Sequence, residues 1–99
     1  MALKSWVFIY TAAGIEPEGR VHTVATPSCR TLLVGMPDVD AAVRFAGTID
    51  SEVQLVELCG AFGPVGTARV IDALGGRVPV GSVSYGGETV DALHAIFSR

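Results

Sequence analysis

Short apolar runs dominate the first third of the chain, and their pattern predicts three strands. Residues 6–10 form a continuous run of β-branched and aromatic side chains, which is typical of a buried strand. Residues 21–25 alternate between apolar and polar positions, as a half-exposed strand does. Residues 31–35 are again apolar, and the turn residues 26–28 predict that these two strands form an antiparallel hairpin.

Beyond the third strand, helical spacing alternates with short apolar runs. This pattern predicts helices at residues 39–49, 63–74 and 88–97, and strands at residues 52–59 and 78–84. In the last two helices, the spacing of apolar residues predicts which side chains face the core: Val65, Ala68, Ile71, Leu74, Val90, Leu93 and Phe97.

Local signals mark the ends of these elements. Asp38 suits a helix N-cap, and Pro64 suits the first turn of a helix. The Gly75-Gly76 pair predicts a left-handed helix end, and Pro79 indicates a strand start or an edge strand.

The predicted order, β-β-β-α-β-α-β-α, defines an α/β fold. The last three strand–helix steps predict parallel strands joined by right-handed crossovers. We therefore expect a small, mostly parallel sheet with an N-terminal antiparallel hairpin and three helices. The 99 residues fit a single α/β domain, 1–99.

Composition adds an expectation of self-association. Hydrophobic residues make up 49% of the chain and charged residues only 17%, below the share of about 25% that is usual in soluble domains. An oligomer hides apolar surface that so few charges leave uncovered, so we expect a homo-oligomer. A monomer rich in glycine and alanine is the alternative.

Charge and cysteine usage argue against several functional classes. The net charge is −3 and the seven basic residues are scattered, so no basic stripe is present for nucleic acid. No apolar run is long enough to cross a membrane, and no signal-peptide pattern precedes the first strand, so we expect a cytoplasmic protein. Cys29, Cys59, His22 and His94 lack metal-ligand spacing, so no metal site is expected, and both cysteines should be thiols. The chain has neither a phosphate-loop motif nor Gly-x-Gly-x-x-Gly, and no cofactor is expected.

Open parallel sheets bind ligands beyond the carboxyl ends of their strands. Glu57 stands out there, because it interrupts a row of apolar residues in a strand that is expected to be central. A buried carboxylate must be paired, protonated or near water, and general acid or base catalysis is one hypothesis. Pairing with Arg44, Arg69 or Arg77, or burial in an oligomer interface, is the alternative.

Cys59 follows at the same strand end, before a helix N-terminus that could stabilise a nucleophilic thiolate. The sequence places neither His22 nor His94 beside it as a base. A buried structural cysteine is therefore the favoured interpretation. Cys59 and Glu57 are the candidate catalytic residues.

Two glycine-containing turns lie at neighbouring strand ends, residues 60–67 and residues 84–89. Free backbone N–H groups at such turns favour an anion, so the two turns predict a pocket for a small anionic or carbonyl-bearing ligand. Residues 12–20 have the composition of a loop that could close over it. The candidate ligand-binding residues are Tyr10, Thr11, Gly60, Phe62, Gly63, Thr67, Ser84, Tyr85 and Gly86.

The segments ELCGAFGP, at residues 57–64, and VPVGSVSYG, at residues 78–86, resemble a family of small bacterial proteins known as a domain of unknown function. The opening residues 6–10 and the Cys29-Arg30 turn fit the same family, so the resemblance covers nearly the whole chain. It implies a stand-alone bacterial protein, and it implies no activity and no catalytic residue.

Three functional hypotheses follow. The first is a small-molecule-binding α/β protein with its ligand at the carboxyl ends of the strands. The second is a cofactor-independent lyase or isomerase, in which Glu57 acts as acid or base and the amides of residues 60–63 stabilise an oxyanion. The third is a structural, homo-oligomeric accessory protein without a pocket. Whether the protein is an enzyme stays open at this point.

Overall fold

The computed structural model describes residues 2–98, which form five strands and three α-helices. The strands are β1 (Ser5–Thr11), β2 (Arg20–Ala25), β3 (Arg30–Met36), β4 (Leu55–Leu58) and β5 (Val80–Ser82). The helices are α1 (Val39–Ala46), α2 (Gly63–Leu74) and α3 (Val90–Phe97). The predicted α/β class and the order of elements are confirmed.

The strands form one sheet in the order β2-β3-β1-β4-β5. Only the β2–β3 pair is antiparallel, which confirms the N-terminal hairpin and the mostly parallel sheet. The connections through α1 and α2 both move toward the β5 edge of the sheet. Right-handed crossovers that move in the same direction place their helices on the same face, so α1 and α2 share one face and pack against each other.

The hydrophobic core lies between this helix-covered face and the two helices. Its fully buried side chains from the strands are Val7, Ile9, Val34, Val56 and Leu58, and those from the helices are Ala42, Ala46, Val70 and Leu74. Full burial of each large aliphatic side chain contributes roughly 1.5–3 kcal/mol. This single layer of packing holds the sheet and both helices together.

The opposite face of the sheet, here called the open face, carries the alternate residues of β1 to β4. Cross-strand register places on it Trp6, Phe8, Tyr10, Arg20, His22, Val24, Thr31, Leu33, Gly35, Leu55 and Glu57. The aromatic residues and both leucines are half-buried, whereas His22, Val24 and Glu57 are exposed. Neither α1 nor α2 covers this face, and α3 contains no buried residue.

The structure corrects several predicted boundaries. β5 spans Val80–Ser82 rather than residues 78–84, and α3 begins at Val90 rather than at residue 88, after a 3₁₀ turn at Gly87–Thr89. α1 ends at Ala46 rather than at residue 49, because Gly47 caps it and the Thr48 hydroxyl donates to the Phe45 carbonyl. β4 begins at Leu55 rather than at residue 52, because residues 51–52 form a turn in which the Asp50 carboxylate accepts from the Glu52 amide.

The predicted inner faces of the last two helices are wrong except at Leu74, which is fully buried as predicted. On α2, Val65 is 74% exposed and Ile71 44% exposed, Ala68 is exposed as well, and the buried row is Gly66, Val70 and Leu74. This side of α2 faces inward because α2 approaches α1 closely there: a Cβ on Gly66 would lie 3.4 Å from the Val39 Cγ1 atom. On α3, Val90 and Phe97 are exposed and Leu93 is half-buried, because no core extends to that helix.

The N-cap of α1 offers a test of this local structure. The Asp38 carboxylate accepts a 2.8 Å hydrogen bond from the Ala41 amide. Asp38→Ala leaves that amide without its partner, so we expect the free energy of unfolding in urea to fall by ~1 kcal/mol. Asp72→Ala, at an exposed position of α2, is the control and should change stability by less than ~0.5 kcal/mol. Equal losses in both variants would contradict the assigned cap.

Candidate functional site

A pocket of about 400 Å³ lies at the carboxyl ends of β4 and β5. Gly60 and Ala61 line it from the turn after β4, and Tyr85 lines it from the segment after β5. Leu93 and Phe97, one helical turn apart on α3, line another side. The pocket therefore occupies the position at which open parallel sheets bind ligands.

The turn after β4 is built from specific backbone requirements. Cys59 continues the extended chain and donates its amide to the Ile9 carbonyl, and a 3₁₀ turn then spans Gly60–Phe62. The buried Phe62 ring anchors this turn in the core. Gly63 has a φ of +61°, which favours glycine, and it starts α2 with Pro64 in the first turn.

Gly60 has a second role, which concerns Tyr85. A Cβ atom built on Gly60 would lie 2.8 Å from the Tyr85 Cε2 atom, so the aromatic ring rests directly on the glycine backbone. Any larger residue at this position would push the ring away. The pair Gly60 and Tyr85 thus forms the floor and one wall of the pocket, and both were candidate ligand-binding residues.

The other candidate ligand-binding residues do not line the pocket. Phe62 is buried in the core, and the Thr67 hydroxyl donates a 2.6 Å hydrogen bond to the Gly63 carbonyl inside α2. Tyr10 and Thr11 end β1, where the Tyr10 ring covers Gly35. Gly63, Ser84 and Gly86 are exposed in the two turns that flank the pocket.

Neither of the two candidate catalytic residues lines the pocket. Glu57 is exposed on the open face, between Phe8 of β1 and Gly81 of β5. Within residues 2–98 the ion pairs are Arg20–Glu16 and Arg69–Asp40, so Arg69 is paired elsewhere. Arg77 donates to the Leu74 and Ile49 carbonyls. Cys59 is half-buried and packs against the hydrophobic core.

Three of the lining residues, Ala61, Leu93 and Phe97, are not among the candidate ligand contacts predicted from the sequence. The helical spacing of Leu93 and Phe97 predicts only apolar residues that face the core. Their i, i+4 spacing next to a glycine-rich turn is the signal that could have placed them at the pocket. Ala61 carries no chemical signal of its own.

A larger depression of about 640 Å³ lies at the opposite, amino ends of the strands. It is more open, and its polar side chains already have structural roles. Arg77 donates to two backbone carbonyls, and the side-chain Oε1 atom of Gln54 accepts a 3.0 Å hydrogen bond from the Ser5 amide. It is therefore a weaker candidate than the pocket at the carboxyl ends.

The loop at residues 12–19 lies over the end of β3. The Ala12 amide donates to the Met36 carbonyl, and Ile15 approaches Gly35. Arg20 forms a two-contact ion pair with Glu16, and this hydrogen bonding lowers the Glu16 pKa to about 2. These contacts hold the loop at the β3 end of the sheet, away from the residues that line the pocket.

Fold and site together define a class: an α/β protein with a mostly parallel sheet, helices α1 and α2 on one face, and an apolar pocket at the strand ends. The chain belongs to a family of unknown function, DUF6506, whose model matches residues 4–98. No curated protein and no solved structure matches the chain significantly. Across residues 2–98, no helix has the length and apolar character that a membrane span requires.

The contact between Gly60 and Tyr85 can be tested directly. Gly60→Ala places a methyl group against the Tyr85 ring, so we expect the Tyr85 ring resonances to shift and the pocket to lose its shape. Gly87→Ala is the matched control, because an added Cβ there meets no atom within 4 Å. Tyr85 resonances that respond equally to both substitutions would contradict the packing described.

The Glu16–Arg20 pair predicts a specific pH dependence. Because the pKa of folded Glu16 lies at about 2, below its ordinary value of 4.5, the pair stabilises the loop above pH 4.5 and loses this effect as pH falls toward 2. A carboxyl-carbon NMR titration should give a Glu16 midpoint of about 2. Arg20→Gln should raise it toward 4.5, whereas Arg30→Gln should not. An unchanged midpoint in Arg20→Gln would refute the ion pair in solution.

Proposed function

We propose that this protein binds a small molecule in the pocket at the carboxyl ends of β4 and β5. The observation that supports this function is the pocket itself, which two sequence-distant turns and α3 form around Gly60 and Tyr85. Its volume of about 400 Å³ lies within the range of ~300–1,000 Å³ that is typical of small-molecule sites.

The lining indicates the chemistry of the ligand. Tyr85, Leu93 and Phe97 offer apolar and aromatic surface, which favours a flat, largely apolar group. Gly60 and Ala61 contribute mainly backbone, and they stand at the turn that leads into α2. A carbonyl or anionic group on the ligand would be favoured by the backbone amides of this turn. The ligand we propose therefore combines one apolar ring system with one such polar group.

Binding, rather than turnover, is the function assigned. Glu57 and Cys59 do not line the pocket, and no other acid, base or nucleophile among residues 2–98 lines it apart from the Tyr85 hydroxyl.

The free thiols Cys29 and Cys59 suit a reducing compartment, and the cytoplasm is where we propose that the protein acts.

Anilinonaphthalene sulfonate is a suitable first probe, because it joins aromatic rings to a single anionic group. We expect saturable binding to the folded protein, with amide chemical-shift changes concentrated at Gly60, Ala61 and Tyr85. Phe97→Ala should weaken binding about tenfold, since it removes one wall of the pocket.

Ile96→Ala is the matched control. Ile96 is adjacent on α3 and similarly exposed, but it does not line the pocket, so its removal should leave the affinity unchanged. Shift changes confined to the open face, or equal losses in the two variants, would refute a ligand site at the strand ends.

A further inference from the structure

The open face is a second unpartnered apolar surface, and it is separate from the pocket. Its centre consists of Trp6, Phe8, Leu33 and Leu55, which are half-buried. None of the four belongs to the hydrophobic core or packs against it. A face this apolar on a chain with few charges is typical of an interface.

The charged side chains and the histidine of this face lie at its two sides: Arg20, paired with Glu16, and His22 on β2, and Glu57 on β4. The register places His22, Leu33, Phe8 and Glu57 side by side in one row that crosses β2, β3, β1 and β4. Two apolar residues thus separate a basic group at one end from an acidic group at the other. Strands lie ~4.8 Å apart, so the His22 and Glu57 positions are ~14 Å from each other.

We propose that the open face binds the same face of a second copy of this chain. The two-fold axis would run parallel to the strands, midway between β3 and β1. This operation places His22 opposite Glu57 of the second copy, and Leu33 opposite Phe8 of the second copy. Because the contact is isologous, each pairing occurs twice. The row is self-complementary, because an imidazole meets a carboxylate and an apolar side chain meets an apolar one, and this identifies a second copy as the occupant.

The neighbouring row fits the same operation. It consists of Val24, Thr31, Trp6 and Leu55 across the same four strands. The axis places the two aliphatic side chains, Val24 and Leu55, opposite each other. It also places the large Trp6 ring opposite the small Thr31. Apolar residues thus meet apolar residues, and a large side chain meets a small one, as close packing requires.

For aligned packing of the two sheets, the alternative two-fold axis runs across the strands. That axis would place Glu57 opposite Glu57, and His22 opposite His22, if it passed through the charged row. Like charges facing each other are unfavourable, so the parallel axis is preferred. Packed sheets cross at about 30°. Residues that lie ~7 Å from the axis, such as Glu57 and His22, are therefore shifted by ~3.5 Å relative to the residues they face. The Glu57 and His22 side chains are long enough to span that offset.

In the proposed dimer, a carboxylate that is exposed in the single chain gains a partner. This explains why Glu57 occupies an inner strand although it forms no ion pair within residues 2–98. The proposed dimer does not depend on a ligand in the strand-end pocket, so either inference can fail without the other.

Sedimentation equilibrium gives the first test. We expect the wild-type chain to be a dimer and Leu33→Glu to be a folded monomer, because it places a carboxylate in the centre of the face. Val65→Glu, at an apolar residue of α2 that is 74% exposed, should remain dimeric. The single tryptophan, Trp6, gives a second readout, because its emission should shift to the red when the dimer dissociates on dilution.

A charge exchange tests the pairing itself. Glu57→Lys and His22→Glu change exposed side chains, so each variant should fold, and each should weaken its own homodimer about tenfold. An equimolar mixture of the two should recover the lost affinity. In the mixed dimer, the Glu57→Lys copy presents two basic groups to the two carboxylates of the His22→Glu copy. Glu52→Lys, an exposed charge change off the face, should have no effect.

Several results would overturn the proposal. A monomeric wild-type chain would do so, as would a mixture that associates no more tightly than either variant alone. A dimer that survives Leu33→Glu but dissociates in Ile96→Glu would place the contact on α3 instead.

Discussion

The direction of two helical crossovers is the constraint on which the rest of this structure depends. Both α1 and α2 connect a strand to another nearer the β5 edge, so right-handedness places them on one face of the sheet. The core then forms on that face alone. It leaves the aromatic residues of β1 on the opposite side, and it leaves α3 without a core to join.

Local signals predicted the elements well, because each depends on residues close in the chain. The Asp38 cap, Pro64 in the first turn of α2 and the left-handed Gly75 all act within one turn of a helix end. The inner face of α2 could not be predicted in this way. That helix carries apolar residues on two sides, and only the approach of Gly66 to Val39 on α1 selects between them.

The candidate site was predictable to the same extent. Gly60 and Tyr85 stand in turns, and turns at the carboxyl ends of strands can be located from element order alone. Leu93 and Phe97 could not be assigned, because an apolar residue in a sequence does not reveal whether the core, a ligand or another chain covers it. For α3, the answer depends on where the sheet ends, and that is a property of the whole fold.

Glu57 shows how the topology changes the meaning of a residue. A carboxylate on an inner strand is costly if both faces of the sheet are covered, and on that assumption Glu57 indicated catalysis or a buried pair. Because helices cover only one face, the Glu57 side chain reaches water in the single chain and carries no such cost. Its position is then constrained only by whatever meets the open face. A carboxylate at this position disfavours a wholly apolar partner and favours a partner that places a basic group opposite it. A second copy of this chain does so, because His22 lies ~14 Å from Glu57 on the same face, across an apolar strip.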